Sequence, residues 1–170
     1  ILESLEHARR RGAKILAEVT GYSTLNSTVS MVHPDPRTLG DCMRSALEQA
    51  SRRPAEVDYV NAHATGTIRG DQAEAEAVGE VLGGAVPISS LKGHIGHTMA
   101  ASGALEIAAS VDMIREGPLI GTRNLHSPDP DCGAVTFLDR NKRKATHVIL
   151  KNGLALGGVH ASMILEAFHG

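Results

Sequence analysis

At 170 residues, 42% hydrophobic and 21% charged, the chain has the composition of a soluble globular protein long enough to bury a core. A formal net charge of −2 and an aromatic content of 2% with no Trp argue against nucleic-acid binding, by backbone neutralisation or by base stacking. No apolar run reaches bilayer length, no signal-peptide pattern is found, and Cys42 and Cys132 fit neither a metal spacing nor a disulfide framework; no membrane association is expected, and the cytoplasm is the simplest compartment.

The chain opens on Ile1, and its first residues already read as an amphipathic helix, Leu2, Leu5 and Ala8 set among Glu3, Glu6, Arg9, Arg10 and Arg11; a start inside a helix reads as a processed piece. Gly12 is placed to end that helix. Residues 15–22 read as a strand. A polar loop follows, with Pro34 and Pro36 breaking any helix, and Thr38 is expected to cap a helix over 39–52, where Leu39, Met43, Ala46, Leu47 and Ala50 keep helical spacing. Residues 57–62 form a short buried strand, 63–67 a polar turn, 71–82 an Ala/Glu-rich helix and 86–90 another short strand. A Gly-rich turn over 92–97 leads into a narrow, small-residue helix over 98–115, which close packing would make central. Strands are expected at 134–138, 147–151 and 159–166, the last two joined by the loop 152–158. This alternation specifies an α/β layered fold in one unit, 1–170.

Loops at strand ends are where α/β proteins assemble sites. Three such loops stand out: 63–67 with His63, 92–97 with Lys92, His94 and His97, and 152–158 with Gly157 and Gly158. Histidine titrates near neutral pH and can serve as acid, base or hydrogen-bond donor. Singly, each is more often structural: a His after a strand satisfies the backbone, a lysine is solvated, a Gly pair makes a turn. His94-Ile95-Gly96-His97 also spells an aminoacyl-tRNA synthetase nucleotide signature, but the lysine-rich partner loop is missing. A zinc site from His63, His94 and His97 lacks any Cys or carboxylate at ligand spacing, so no metal is expected.

In this order, however, the motifs resemble the β-ketoacyl-acyl carrier protein synthase (ketosynthase) family, elongating type. They are Asn61-Ala62-His63-Ala64-Thr65-Gly66-Thr67 with Gly70-Asp71, Ser89-Ser90-Leu91-Lys92 with Gly96-His97, Glu106 nine positions on, and Gly157-Gly158 before the final strand. The resemblance covers essentially the whole chain. It implies a thiolase-like fold of two similar halves, layered α-β-α-β-α, of which this chain is the C-terminal half. It implies that His63 and His97 donate hydrogen bonds to the thioester oxygen of malonyl-carrier protein as carbon dioxide leaves. Lys92 pairs with Glu106 and helps keep His97 neutral. Thr65 and Thr67 contact the phosphopantetheine arm, and Asp71 is a structural acid at a helix start. Acyl carrier protein, the N-terminal half and a second copy of the complete enzyme are the implied partners. No cofactor is implied beyond the phosphopantetheine that carries the substrates.

Two departures matter. The family nucleophile is a cysteine in a tight turn of the first half, and neither Cys42, placed in an exposed helix, nor Cys132, in a Pro/Asp turn, matches it; alone, the chain should form no acyl-enzyme. The family's Phe-Gly-Phe-Gly-Gly gate reads Leu154-Ala155-Leu156-Gly157-Gly158, with His160 in place of an asparagine. Leu156 thus stands where a gating phenylalanine belongs, and Ala155 restricts the backbone if its φ must be positive. A noncatalytic, chain-length-factor-like partner is the alternative reading. A thiolase is disfavoured, because it needs a second catalytic cysteine late in the chain. Half of a two-half core should also expose a large apolar face.

Overall fold

A computed structural model describes residues 1–133 and 135–170. Its centre is a six-stranded sheet in the order β1-β8-β7-β2-β3-β5, comprising β1 (Glu18–Asn26), β2 (Tyr59–Asn61), β3 (Pro87–Ser89), β5 (Thr136–Phe137), β7 (Val148–Ala155) and β8 (Val159–Glu166). The last two form an antiparallel hairpin, β1 adds to it antiparallel, and β2, β3 and β5 continue parallel from β7. Two short strands, β4 (Pro118–Leu119) and β6 (Lys142–Arg143), pair apart from this sheet.

Alternation along the strands assigns the two faces. Val60, Leu150 and Ile164 pack against α2 (Pro36–Gln49) and α3 (Ile68–Leu82), chiefly on Leu39, Met43, Val78 and Val81. Tyr59, Ile149 and Leu165 point the other way, into a smaller cluster with Met113 of α5 (Ser102–Glu116). The architecture is the layered α/β fold expected from the order of elements, with helices on both sheet faces.

Several boundaries move for local reasons. The first helix, α1 (Leu5–Arg10), begins only after Ser4, whose hydroxyl caps the His7 N–H. Pro36 starts α2 rather than breaking it, since a first-turn residue needs no N–H donor, and Asp35, not Thr38, is the cap. The first strand runs 18–26 instead of 15–22, because its register is set by β8. The turn expected at 92–97 contains α4 (Lys92–Ile95) and is followed by a 3-10 turn, Met99–Ala101, before α5. The narrow helix is not enclosed: one stripe, Ser102, Glu106, Ser110 and Met113, meets the sheet, while Gly103, Ala104 and Leu105 are exposed. Of the strand expected at 134–138, Thr136–Phe137 is observed and Ala134 lies outside the described residues. Most of the loop expected at 152–158 is strand, because β7 continues to Ala155 in register with Val159.

Gly158 closes this hairpin with φ +74°, and a Cβ there would lie 2.4 Å from the Ser27 carbonyl, so only glycine fits. Leu150 is fully buried on the α2/α3 face, within the larger of the two apolar clusters. We expect Leu150→Ala to lower the free energy of unfolding by about 2–5 kcal/mol in denaturant titrations. Leu156→Ala, at a side chain 78% exposed, should change it by less than about 0.5 kcal/mol.

Candidate active site

The parallel strands deliver the site, as the carboxyl ends of such strands commonly do. Asn61 ends β2 and His63 follows; Ser89 ends β3 and Lys92 follows. Both loops turn over the sheet edge, where they meet the start of α5 and the end of β7. Here lies an open cavity of about 1200 Å³ lined by His63, Thr65, Thr67, Asp71, His97, Glu106, Lys151, Leu156 and Gly158, among others.

The two imidazoles meet. Their centroids are 5.4 Å apart and their planes stand at 83°, an edge-to-face arrangement. The His97 Nδ1 lies 3.0 Å from the Met99 amide nitrogen and 3.2 Å from Ser102 Oγ. A backbone N–H can only donate, so Nδ1 is the acceptor and the neutral ring carries its proton on Nε2. Met99 holds this amide in place with φ +54°, in the left-handed region that side-chain-bearing residues seldom adopt. Among the described residues, neither ring nitrogen of His63 has a hydrogen-bond partner. Burial, followed by the charges of Lys92 and Lys151, pushes the His63 pKa down to about 3. The Lys92 charge thus bears on His63.

Beneath the rings is a layer of paired charges. Lys92 Nζ is 2.5 Å from Glu106 Oε1, with both side chains almost entirely buried. Glu74, on the core face of α3, accepts the His63 and Ala64 backbone N–H groups at 2.9 and 2.8 Å and Asn152 Nδ2 at 3.1 Å, which fixes the loop carrying His63. Asp71 stands in the first turn of α3, 3.2 Å from the Gly66 amide. Burial and the neighbouring Glu74 raise its carboxyl pKa despite the loop N–H groups. The Thr65 and Thr67 hydroxyls are 3.0 Å apart on the exposed rim.

His94 turns away and bonds the Gly121 carbonyl through Nε2 at 2.9 Å. Among the described residues, no group of three His, Cys, Asp or Glu side chains is arranged around a common metal position. Cys42 is not exposed but wholly buried in α2, because that helix lies against β1 and β8; its Sγ is 3.2 Å from the Ser23 carbonyl oxygen. Burial and Asp129 raise the Cys132 pKa, opposite to what a nucleophile needs.

The gate loop is better ordered than its composition implies. Ala155 lies in β7, outside the positive-φ residues, so its methyl group strains nothing. His160 accepts the Asp35 N–H on Nε2 at 3.2 Å and donates from Nδ1 to the Gly158 carbonyl at 2.8 Å, tying the hairpin turn to the start of α2. Leu156 itself projects at the cavity mouth.

Glu74, Met99 and Lys151 are site residues that motif reading passes over. A signal existed for two of them. Glu74 occupies the same helical stripe as Ala77, Val78 and Val81, and Lys151 interrupts the buried run Val148-Ile149-Leu150. A charge at a core position requires a partner.

Residues 16–126 match the family model described as the beta-ketoacyl synthase C-terminal domain. The chain is 34% identical to 3-oxoacyl-[acyl-carrier-protein] synthase 2 of Coxiella burnetii, covering 98% of this chain and 41% of that protein. A crystal structure of a beta-ketoacyl synthase from Burkholderia phymatum superposes with a TM-score of 0.95 at 36% identity, again over 98% of this chain and 41% of the other. A type II polyketide ketosynthase, AntDE, solved with its acyl-carrier protein AntF and bound to a hexaketide, gives 0.93 at 33% identity, covering 98% of this chain and 42% of that one. The chain thus spans about two fifths of the relatives it matches, and among its described residues no helix is long and apolar enough to cross a membrane. With the fold, the histidine pair and these matches in agreement, the chain belongs to the beta-ketoacyl synthase family of fatty acid and polyketide biosynthesis, as its C-terminal, thiolase-like region.

Proposed function

We propose that this chain supplies the decarboxylation centre of a 3-oxoacyl-[acyl-carrier-protein] synthase that condenses malonyl-carrier protein with an acyl thioester. The bond between the malonyl carboxylate and C2 breaks, carbon dioxide leaves, and the electron pair becomes an enolate with its charge on the thioester oxygen. C2 then attacks the acyl carbonyl held on a cysteine of the companion half, and that thiolate is released. Donors fixed before charge develops are often the largest single catalytic contribution. The observation that carries this reading is the pair of imidazoles 5.4 Å apart, with His97 locked as an Nε2–H donor by a backbone amide.

Other features support it. The Thr65 and Thr67 hydroxyls, on the cavity rim, suit the amides of a phosphopantetheine arm, and no other cofactor enters the reading. Met31, Val32, Ile68, Met99 and Leu156 are exposed apolar side chains around the cavity, a rim that the companion half would cover. Acyl carrier protein would bring the substrate, and the complete enzyme would pair as a homodimer. A noncatalytic role beside an active ketosynthase is favoured by one observation, Leu156 in place of an aromatic gate. The buried Lys92–Glu106 pair weighs against it, since a subunit that decarboxylates nothing has no use for so costly an arrangement.

The chain mixed with its matching first half should release carbon dioxide from malonyl-carrier protein, and His97→Ala should reduce that rate about 100-fold or more; equal rates would reject the role. The His63 ring gives a second expectation. Between about pH 6.5, where an unfolded histidine titrates, and about 3 in the folded chain, the unfolded state binds a proton that the folded state does not. Stability contributed by the neutral ring is therefore lost as the pH falls through that window. Urea titrations at pH 7 and pH 5 should show this loss, and His63→Gln should make it smaller.

A further inference from the structure

Lys151 is given no step in the proposed decarboxylation, yet it is among the most deeply buried charges of the described residues. Its side chain is 4% exposed; its Nζ donates a hydrogen bond to the Asn152 carbonyl and stands 2.8 Å from Glu106 Oε2, the oxygen opposite the one that Lys92 holds, as an ion pair outside hydrogen-bond geometry. It lies in β7 in register with Asn61 of β2. Asn61 Nδ2 donates to the Glu106 carbonyl at 3.1 Å and to Ser110 Oγ at 2.8 Å, while its Oδ1 is buried without a partner among the described residues. Lys151 also lines the cavity together with both histidines.

Packing does not explain a cation here. The neighbours on this face of the sheet are Tyr59, Ile149 and Leu165, and an apolar side chain would avoid the loss of hydration. Nor does neutralisation of Glu106, which Lys92 already provides. Burial lowers the Lys151 pKa, and the Glu106 carboxylate beside it opposes that shift; with both lysines protonated against one carboxylate, the triad carries one positive charge.

We propose that Lys151 is a second positioning residue of the histidine site, ion-paired with the Glu106 oxygen that Lys92 leaves and setting a positive charge beneath the cavity lined by His63 and His97. The inference rests on the reading of those rings as neutral donors to an enolate oxygen. The charge serves it twice: it opposes a proton on His63, and it favours an anion in the cavity. The groups facing His63 are Lys92 from α4, Lys151 from β7 and His97 from the loop before α5. Glu106 sits between the two lysines, and Glu74 of α3 holds the backbone below.

If Lys151 only filled space, methionine would replace it without consequence for His63. Lys151→Met and Lys151→Arg should be compared with the unaltered chain in its native assembly, by NMR of the His63 ring without substrate. The protonated fraction of His63 at pH 5 should rise about tenfold or more in Lys151→Met, corresponding to a midpoint about one pH unit higher, and should stay low in Lys151→Arg. A folded Lys151→Met protein with an unchanged His63 titration overturns the proposal. Should that variant fail to fold, the lysine Cε resonances of the unaltered protein decide: Lys151 must carry its proton at pH 7, and a neutral amine there overturns it equally. Because His63 is read without turnover, failure of decarboxylation in the unaltered pair would sink the catalytic reading and leave this result standing.

Discussion

The site depends on one buried carboxylate. Glu106 is almost wholly sequestered, and an unpaired carboxylate in such a place would lose several kcal/mol of hydration. Lys92 and Lys151 approach its two oxygens, one from the turn after β3 and the other from the centre of β7, while Glu106 itself comes from α5. Three elements distant in sequence are thus bound to one point. Movement of α5 would separate charges that have no water to fall back on. Since His97 hangs from Ser102 at the start of the same helix and from Met99 in the 3-10 turn that leads into it, fixing α5 also fixes His97.

A second carboxylate does the same for the other ring. Glu74 spends both oxygens on consecutive backbone N–H groups, those of His63 and Ala64, and one also receives Asn152. The loop is held by its main chain, which leaves the His63 ring free to face the cavity. The two histidines therefore have complementary constraints: His97 is fixed through its ring nitrogen and His63 through its backbone. Only the first arrangement dictates a tautomer. The second leaves both nitrogens of His63 without a hydrogen-bond partner among the described residues, with burial and neighbouring cations keeping the ring neutral.

Much of the fold was legible because period and order carry it. The short buried run Val148–Leu150 falls within the strand expected at 147–151, the strand expected at 159–166 is observed with those bounds, and α2 and α3 show the helical stripe that meets the sheet. What periodicity could not convey was context. Pro36 looks like a breaker until its position at the first turn is known, and Cys42 looks exposed until α2 is laid against β1 and β8. The site divides in the same way. His63, Lys92 and His97 stand in motifs at strand ends, but Met99 contributes a backbone N–H, which any residue type would offer, so its role was invisible. Lys151 and Glu74 were readable as charges in apolar stripes, a pattern that motif comparison does not weigh.

The gate hairpin shows how substitutions can be absorbed. A glycine is required at 158, where the chain passes over the Ser27 carbonyl, and glycine is present. No positive φ is required at 155, and alanine is accommodated in the ladder. His160 uses both ring nitrogens, one accepting from Asp35 and one donating to Gly158, so the turn remains fastened to the start of α2. Leu154 and Leu156, the two leucines of this segment, both line the cavity, and Leu156 projects at its mouth. The charges and imidazoles beneath the hairpin stay where β2, β3, β7 and α5 place them, independent of the side chains at its tip.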